Sequence, residues 1–283
     1  MALIGVDLGG TQVRAGLVEG DRVVKIAARV IRSTGTEEEV LSDLTAVLDE
    51  VFSLEVQGLG LGIPSIVDLE TGVVYDVQNI PAWREVPLKR ILEARYQVPV
   101  YINNDANCFA VGEKYFGLGR SYNNFVGLII GTGLGAGLII NGRLYSGPNC
   151  GAGEFGMLPY LETNFERYAS GQFFLKSYGC PGKEFYQRAK AGQEEALKVF
   201  KEYGHHLGEA IKAIMYALDP EAIILGGSVS QSYEFFKDSM LAAISTFAYS
   251  LALKRIEIKV STTDNIAILG AAALYLDNLQ GGR

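Results

Sequence analysis

Three apolar, β-branched runs open the chain, Leu3–Val6, Val13–Val18 and Val23–Ile31, and short breaks at Gly9-Gly10-Thr11 and Glu19-Gly20-Asp21 separate them. That pattern predicts an antiparallel meander. Helical spacing follows over Glu37–Phe52, with Thr36 placed to cap a first turn that carries three glutamates. A buried strand at Leu59–Ile63, a helix from Pro87 to Tyr96, a strand at Val98–Ile102 and a helix opening near Asp105 come next. A second meander is expected at Phe125–Ile130, Ala136–Ile140 and Arg143–Tyr145. Beyond it, helices at Glu194–Leu218, Tyr233–Leu251 and Ile266–Leu279 interleave with strands at Ala222–Leu225 and Glu257–Val260. Alternation of this kind is α/β architecture. Because a meander followed by strand–helix units occurs twice, the chain reads as internally duplicated.

Composition narrows the class. The 283 residues suggest one large domain or two of moderate size, with 48% hydrophobic residues and a formal net charge of −7. The acidic balance lacks the basic stripe that nucleic acid requires, and no polybasic anchor suits a membrane surface. The opening MALIGVDLGG has no basic n-region, and no apolar run is long enough to span a bilayer, so a cytoplasmic protein is expected. Cys108, Cys150 and Cys180 are widely spaced with no C-x-x-C pair, and read as reduced, packing thiols.

Glycines cluster where apolar runs break off, and two of these breaks carry chemistry. In Asp7-Leu8-Gly9-Gly10-Thr11 the paired glycines let backbone N–H groups approach an anion, Thr11 adds a hydroxyl, and Asp7 suits the water shell of a divalent cation. A plain glycine hairpin with a surface Asp fits the same residues. Gly131-Thr132-Gly133-Leu134-Gly135-Ala136-Gly137 repeats the arrangement in the second half. Two such loops suggest a nucleotide phosphate chain held between halves, although neither is a Walker loop nor a full dinucleotide fingerprint.

Asn103-Asn104-Asp105-Ala106-Asn107 places four polar side chains at the end of a strand, where open α/β sheets bind ligands. A helix cap uses one of them; a polyol ligand would use the excess. Ser65 and Asn79 lie on constrained loops after strand-like runs, and Trp83 reads as a packing aromatic. Composition alone gives no reason to choose Glu154 or Glu166 from the other acids. His205 and His206 have no metal-ligand spacing. Gly226-Gly227-Ser228 suits either an approach to an adenosine or the cap of a following helix.

Taken in order, these segments resemble the sugar kinases of the ROK family (repressor, open reading frame, kinase) essentially end to end. The resemblance rests on the Asp7–Thr11 and Gly131–Gly135 loops, Gly62-Ile63-Pro64, Asn79 with Trp83, Asn104–Asn107, Glu154-Phe155-Gly156, Glu166 before Tyr168-Ala169-Ser170-Gly171, Gly226-Gly227 and Leu269-Gly270-Ala271-Ala272. It implies a two-domain actin-like ATPase (ribonuclease H-like) fold with an interdomain cleft. Residues 1–106 and the C-terminal helix 265–283 would form a small domain, and residues 107–264 a large one. Asp105 would be the general base, Asn79, Asn104, Glu154 and Glu166 would hold the hexose with Ser65 at the pocket edge, and Asp7, Gly9, Gly10, Thr11, Gly131, Thr132, Gly133 and Gly227 would hold ATP. Mg2+ would arrive with ATP, with Asp7 reaching it through water, and a homodimer is expected.

Two positions depart from the family pattern. Most relatives carry Glu-x-Gly-His followed by a cysteine-rich segment that binds structural zinc, whereas here the histidine position is Met157 and residues 158–165 contain no cysteine. A thioether without thiolates does not hold zinc, so no structural zinc is expected. Ser65 replaces the usual Gly. The implied activity is ATP-dependent phosphorylation of the terminal 6-hydroxyl of glucose or a related hexose or N-acetylhexosamine. A sugar-responsive transcriptional regulator, for which Asp7 leaves no room for a preceding helix-turn-helix, and a catalytically silent sugar sensor are the disfavoured alternatives.

Overall fold

The computed structural model of the chain describes residues 1–281. In chain order the first half comprises β1 (Ala2–Leu8), β2 (Gln12–Glu19), β3 (Arg22–Val30), α1 (Glu37–Val51), β4 (Val56–Ile63), three two-residue strands β5 (Ile66–Val67), β6 (Val74–Tyr75) and β7 (Glu85–Val86), α2 (Leu88–Tyr96), β8 (Val100–Asn104) and α3 (Asp105–Phe116). The second contains β9 (Phe125–Ile130), β10 (Leu134–Ile140), β11 (Arg143–Leu144), the short pair β12 (Pro159–Tyr160) and β13 (Thr163–Asn164), α4 (Phe165–Ala169), α5 (Gly171–Tyr178) and α6 (Gly182–Lys190). It ends with α7 (Glu194–Leu218), β14 (Ala222–Gly226), α8 (Tyr233–Ile244), α9 (Ser250–Arg255), β15 (Glu257–Val260) and α10 (Ile266–Gly281).

The duplication is visible in the sheets. One runs β3-β2-β1-β4-β8 and the other β11-β10-β9-β14-β15, each a meander followed by two strands reached through crossovers. In the first, β1 pairs antiparallel with β2 and parallel with β4, which pairs parallel with β8. In the second, β14 lies parallel to both β9 and β15.

The chain divides into two compact units, and the boundary falls later than residue 106. Unit 1 holds Met1–Asn123, Gly137–Ala152 and the segment from Thr262 on; unit 2 holds Asn124–Ala136 and Gly153–Ser261. Helix α3 belongs to unit 1 because it packs on α10 with almost no spacing: a Cβ on Gly270 would overlap the carbonyl of Cys108. The last two residues of the expected helix 265–283, residues 282 and 283, lie outside those described.

Unit 1 has apolar layers on both faces of its sheet. On one face Val40, Leu44, Val47 and Leu48 of α1, Leu88 and Leu92 of α2 and the fully buried Trp83 meet Ile4, Val6, Leu59 and Leu61. Trp83 is a core residue, its Nε1 donating to the carbonyl of Glu37 at 3.4 Å. On the other face Ile268, Leu269 and Ala272 of α10 pack with Leu3 and Val18. Thr36 caps α1 as expected and closes a capping box with Glu39, whose N–H donates to Thr36 Oγ1 at 3.3 Å while Thr36 N–H donates to Glu39 Oε2 at 2.9 Å.

Two elements differ from expectation. The last strand before Asp105 begins at Val100 rather than Val98, so that Asn103 and Asn104 are themselves strand residues, in register with Gly62 and Ile63. The single helix expected over Tyr233–Leu251 is two, α8 and α9. Ser245 and Thr246 turn their hydroxyls back onto the carbonyls of Ala242 (2.7 Å) and Ala243 (2.8 Å), competing with helix continuation, and Phe247 leaves the helix line to pack on Tyr216 at 4.3 Å. Among the described residues no helix is long and apolar enough to cross a membrane.

Candidate active site

In unit 1 the turn between β1 and β2 brings Asp7 opposite Arg14. Gly9 N–H donates to the carbonyl of Gln12 at 3.0 Å and closes the turn. Gly10 lies against Asn79: a Cβ at position 10 would overlap the Asn79 side chain, so only glycine lets that loop and Asn79 meet. Asn79 is exposed and holds φ = 64°, a left-handed conformation that Asn tolerates better than most residues. Thr11 is exposed at the same turn.

The four polar residues at the end of β8 and the start of α3 divide by function. Asn104 caps α3, its Oδ1 accepting from Ala106 N–H at 2.8 Å, and among the described residues its Nδ2 donors have no protein partner. Asn103 and Asn107 are buried instead. Asn103 Oδ1 accepts from Asn104 N–H (2.8 Å), Asn107 Nδ2 (2.8 Å) and Cys150 Sγ (3.1 Å), while its Nδ2 donates to Ser146 Oγ at 3.2 Å. They brace the strand end rather than face a ligand. Asp105 opens to solvent, its Oδ1 accepting from Ala106 N–H at 2.9 Å. The protein around it still desolvates the carboxyl enough to push its pKa up from the ordinary carboxylate range. Asp7 is pushed up as well, first by burial and also by the charge of Asp105, with Arg14 opposing both.

Ser65 does not join this group. It is buried, and its hydroxyl is directed at the carbonyls of Tyr75 (2.6 Å) and Ile66 (2.9 Å) within its own loop. Unit 1 therefore gathers Asp7, Gly10, Asn79, Asn104 and Asp105: two carboxylates, amide donors and a glycine turn.

Unit 2 gathers the others. The Gly131–Gly133 turn joins β9 to β10, and Gly131 N–H donates to the carbonyl of Gly133 at 3.0 Å. Gly227, at the end of β14, holds φ = 86° and sits on the carbonyl of Ile130, a place that neither a side chain nor an ordinary backbone conformation would fit. Beside them is a cavity of about 580 Å3. Gly131, Thr132 and Ser228 are among its lining residues, together with the apolar or aromatic Phe174, Tyr186 and Val229. That size and mixture suit a nucleotide. Glu154 is exposed on a turn whose Gly156 has no room for a Cβ, the carbonyl of Leu134 standing 2.6 Å from that position. Glu166 has both carboxylate oxygens engaged, Oε1 by Gln172 Nε2 (2.8 Å) and Oε2 by Leu134 N–H (3.2 Å).

At the position that the resemblance assigns to a zinc-binding histidine, Met157 is exposed, and β12–β13 after it form a hairpin. Tyr160 stacks on Phe165 at 4.5 Å and its hydroxyl lies 3.0 Å from His206 Nδ1. Among the described residues no three His, Cys, Asp or Glu side chains are grouped to hold a metal ion.

Sequence reasoning missed Arg14, Ser170 and Gln172. Arg14 was within reach, because a hairpin centred on Gly10-Thr11 pairs position 7 with position 14; its Nη2 is anchored on Asn265 Oδ1 at 2.7 Å. Ser170 and Gln172 also meet Glu166, four and six residues before them, but the Thr132 carbonyl that Ser170 reaches lies 38 residues away in sequence.

Comparison with known proteins bears on both units. The sequence pattern of the ROK family matches residues 3–278. The glucokinase of Thermotoga maritima is 29% identical over 317 aligned positions, covering 99% of each chain. The N-acetyl-D-glucosamine kinase of Pectobacterium carotovorum is 31% identical, covering 96% of this chain and 98% of its own. A ROK family glucokinase from Streptomyces griseus, solved in complex with glucose and AMPPNP, superposes with a TM-score of 0.82 at 27% identity, covering 97% of this chain and 99% of its own. The fold is the two-domain actin-like ATPase fold of these kinases. With a family match over nearly its whole length and the motif residues gathered as described, the chain belongs to the ROK family.

Proposed function

We propose that this chain is a sugar kinase that transfers the γ-phosphoryl group of ATP to the terminal 6-hydroxyl of glucose or a related hexose or N-acetylhexosamine. The observation that carries this is Asp105, a solvent-open carboxylate with a raised pKa at the N-terminus of α3, next to Asn104 and close enough to Asp7 for their charges to interact. A base of that kind takes the proton of a hydroxyl as its oxygen attacks phosphorus. The new O–P bond forms as the bond to the β,γ-bridging oxygen breaks, and ADP leaves with that electron pair. Asn79 and Asn104 hold ring hydroxyls; the backbone N–H groups at Gly10 and Thr11 and at the Gly131–Gly133 turn hold phosphate oxygens. Such chemistry needs alignment and charge neutralisation more than covalent help.

Mg2+ carried by ATP fits the same residues, because a divalent cation would relieve the repulsion between Asp7 and Asp105 and neutralise phosphate charge. Asp7 would reach it through water.

A coupled ADP-release screen across glucose, fructose, mannose, N-acetylglucosamine and N-acetylmannosamine tests the proposal. Sugar-dependent ADP release requiring Mg2+ supports it. Saturable sugar binding without ADP release would instead make the chain a sugar sensor.

Two results follow for residues around the site. Glu154→Gln is expected to raise KM for the preferred hexose more than KM for ATP, since an amide keeps one acceptor oxygen but turns an NH2 toward the sugar hydroxyls in place of the other; equal changes in the two constants would remove Glu154 from the sugar pocket. Purified, untagged protein is expected to contain no stoichiometric zinc and to keep full activity after chelation and return of Mg2+. Zinc lost together with activity would overturn this.

A further inference from the structure

We infer that Cys150 is a positioning residue for the base: its thiol, acting through the Asn103 amide, fixes the strand–helix junction that carries Asn104 and Asp105. The inference rests on the kinase reading above and adds a residue to it.

All the residues concerned lie in unit 1. The loop over 146–152 is closed by Ala152 N–H, which donates to the carbonyl of Ser146 at 3.0 Å. At its start the buried Ser146 hydroxyl accepts from Asn103 Nδ2 at 3.2 Å, and further on the Cys150 thiol donates to Asn103 Oδ1 at 3.1 Å. One loop thus grips both ends of one buried amide, which cannot turn over without losing both bonds. The same Oδ1 accepts from Asn107 Nδ2 at 2.8 Å, and that Nδ2 also lies 3.8 Å from the thiol, closing a ring of three side chains. A further bond, from Asn104 N–H at 2.8 Å, ties this oxygen to the backbone of the sugar-facing amide, and Asp105 is the next residue in the chain.

Packing alone does not account for Cys150. The residue is buried and holds φ = 55°, a left-handed conformation that penalises a residue with a Cβ and that glycine would adopt freely. What the strained backbone obtains in return is a sulfur placed against Asn103. Stability and rate respond differently to such a contact. A thiol is a weak donor, so losing its bond removes little from the fold. Alignment of a base with a hydroxyl is far less forgiving, since a misplacement of about 1 Å can lower a rate by roughly 10²-fold.

The test titrates the full chain with the preferred hexose and with AMPPNP, each alone, by calorimetry, and scales kcat to the number of hexose-binding sites so that partial unfolding does not count. Cys150→Ala is expected to lower kcat per site by about tenfold and to weaken hexose binding by about threefold, with AMPPNP affinity within about twofold of the parent. Cys150→Gly, which relieves the backbone but supplies no donor, should match Cys150→Ala. Cys150→Ser, which returns a hydroxyl to the same Cβ, should recover kcat to within about threefold of the parent. Ser146→Ala loosens the other end of the amide and should act in the same direction by a smaller factor, which keeps the inference testable should the Cys150 variants fail to fold. Cys150→Ser as impaired as Cys150→Ala, AMPPNP affinity falling as far as hexose affinity, or Cys150→Ala or Cys150→Gly at the parent's kcat overturns it. A parent that binds hexose but releases no ADP would sink the kinase reading and this inference together, whereas an active parent with unaffected Cys150→Ala and Ser146→Ala variants sinks the inference alone.

Discussion

Asp105→Asn is expected to lower kcat by roughly two orders of magnitude or more while hexose binding stays near the parent's. The substitution keeps size and polarity and removes the proton acceptor. Nothing in the fold depends on the charge: Asp105 makes no ion pair among the described residues, and Asn104 already supplies the cap of α3. The raised pKa fixes the sign of the stability effect. A carboxyl whose folded pKa lies above its unfolded value favours folding when protonated and loses that contribution as pH rises through its titration, so at neutral pH its ionisation opposes folding. Asp105→Asn should therefore melt at the parent's temperature or above it. The same shift sets the pH profile. The base must be ionised, so kcat/KM should fall as pH drops through the elevated pKa of Asp105, above the ordinary carboxylate range, and the residual activity of Asp105→Asn should lack that limb. Activity within a few-fold of the parent would remove Asp105 from the role of base.

The second large effect falls on stability. Gly60→Ala is expected to destabilise unit 1 by about 3 kcal/mol or more. Helix α10 crosses β1 and β4 at Gly5 and Gly60, and a Cβ at residue 60 would overlap the carbonyl of Ala271, backbone that cannot swing aside. Alanine gains roughly 0.4–1 kcal/mol by restricting the unfolded chain. Overpacking against a backbone carbonyl outweighs that, since relief requires the whole helix to lift away from Leu3, Val18 and their neighbours. Urea unfolding of Gly60→Ala beside Gly151→Ala makes the comparison. Gly151 is exposed, with its nearest other atom 4.0 Å from a Cβ, and its variant should stay within about 0.5 kcal/mol of the parent. Equal midpoints for the two would mean that α10 adapts freely. Loss of α10 would also release Asn265, which anchors Arg14 opposite Asp7.

Local pattern was enough for most of the elements. Thr36 and the three glutamates behind it set the start of α1, and β-branched runs closed by glycine pairs set both meanders, because capping, turn formation and strand propensity act over a few residues and are written in adjacent positions. The family resemblance carried by motif order was enough for the fold class. Local pattern failed where distant groups compete for the same atoms. Asn103, Asn104 and Asn107 look alike in sequence, yet the register of β8 against β4 sends Asn103 into a buried network with Ser146 and Cys150 and leaves Asn104 at the cap. Ser65 looked available until the neighbouring β6 offered its hydroxyl the carbonyl of Tyr75. The expected helix over Tyr233–Leu251 broke because Ser245 and Thr246 could bond backward while Phe247 packed on Tyr216 from another helix. Glu166 is singled out only by the family resemblance, because its partner Leu134 lies 32 residues before it and meets it only in the folded chain. The sequence by itself determined which residue types stand at each strand end, and the tertiary structure decided which of their polar atoms stay free for a ligand, because a polar group can satisfy only the partners that packing brings within about 3 Å of it.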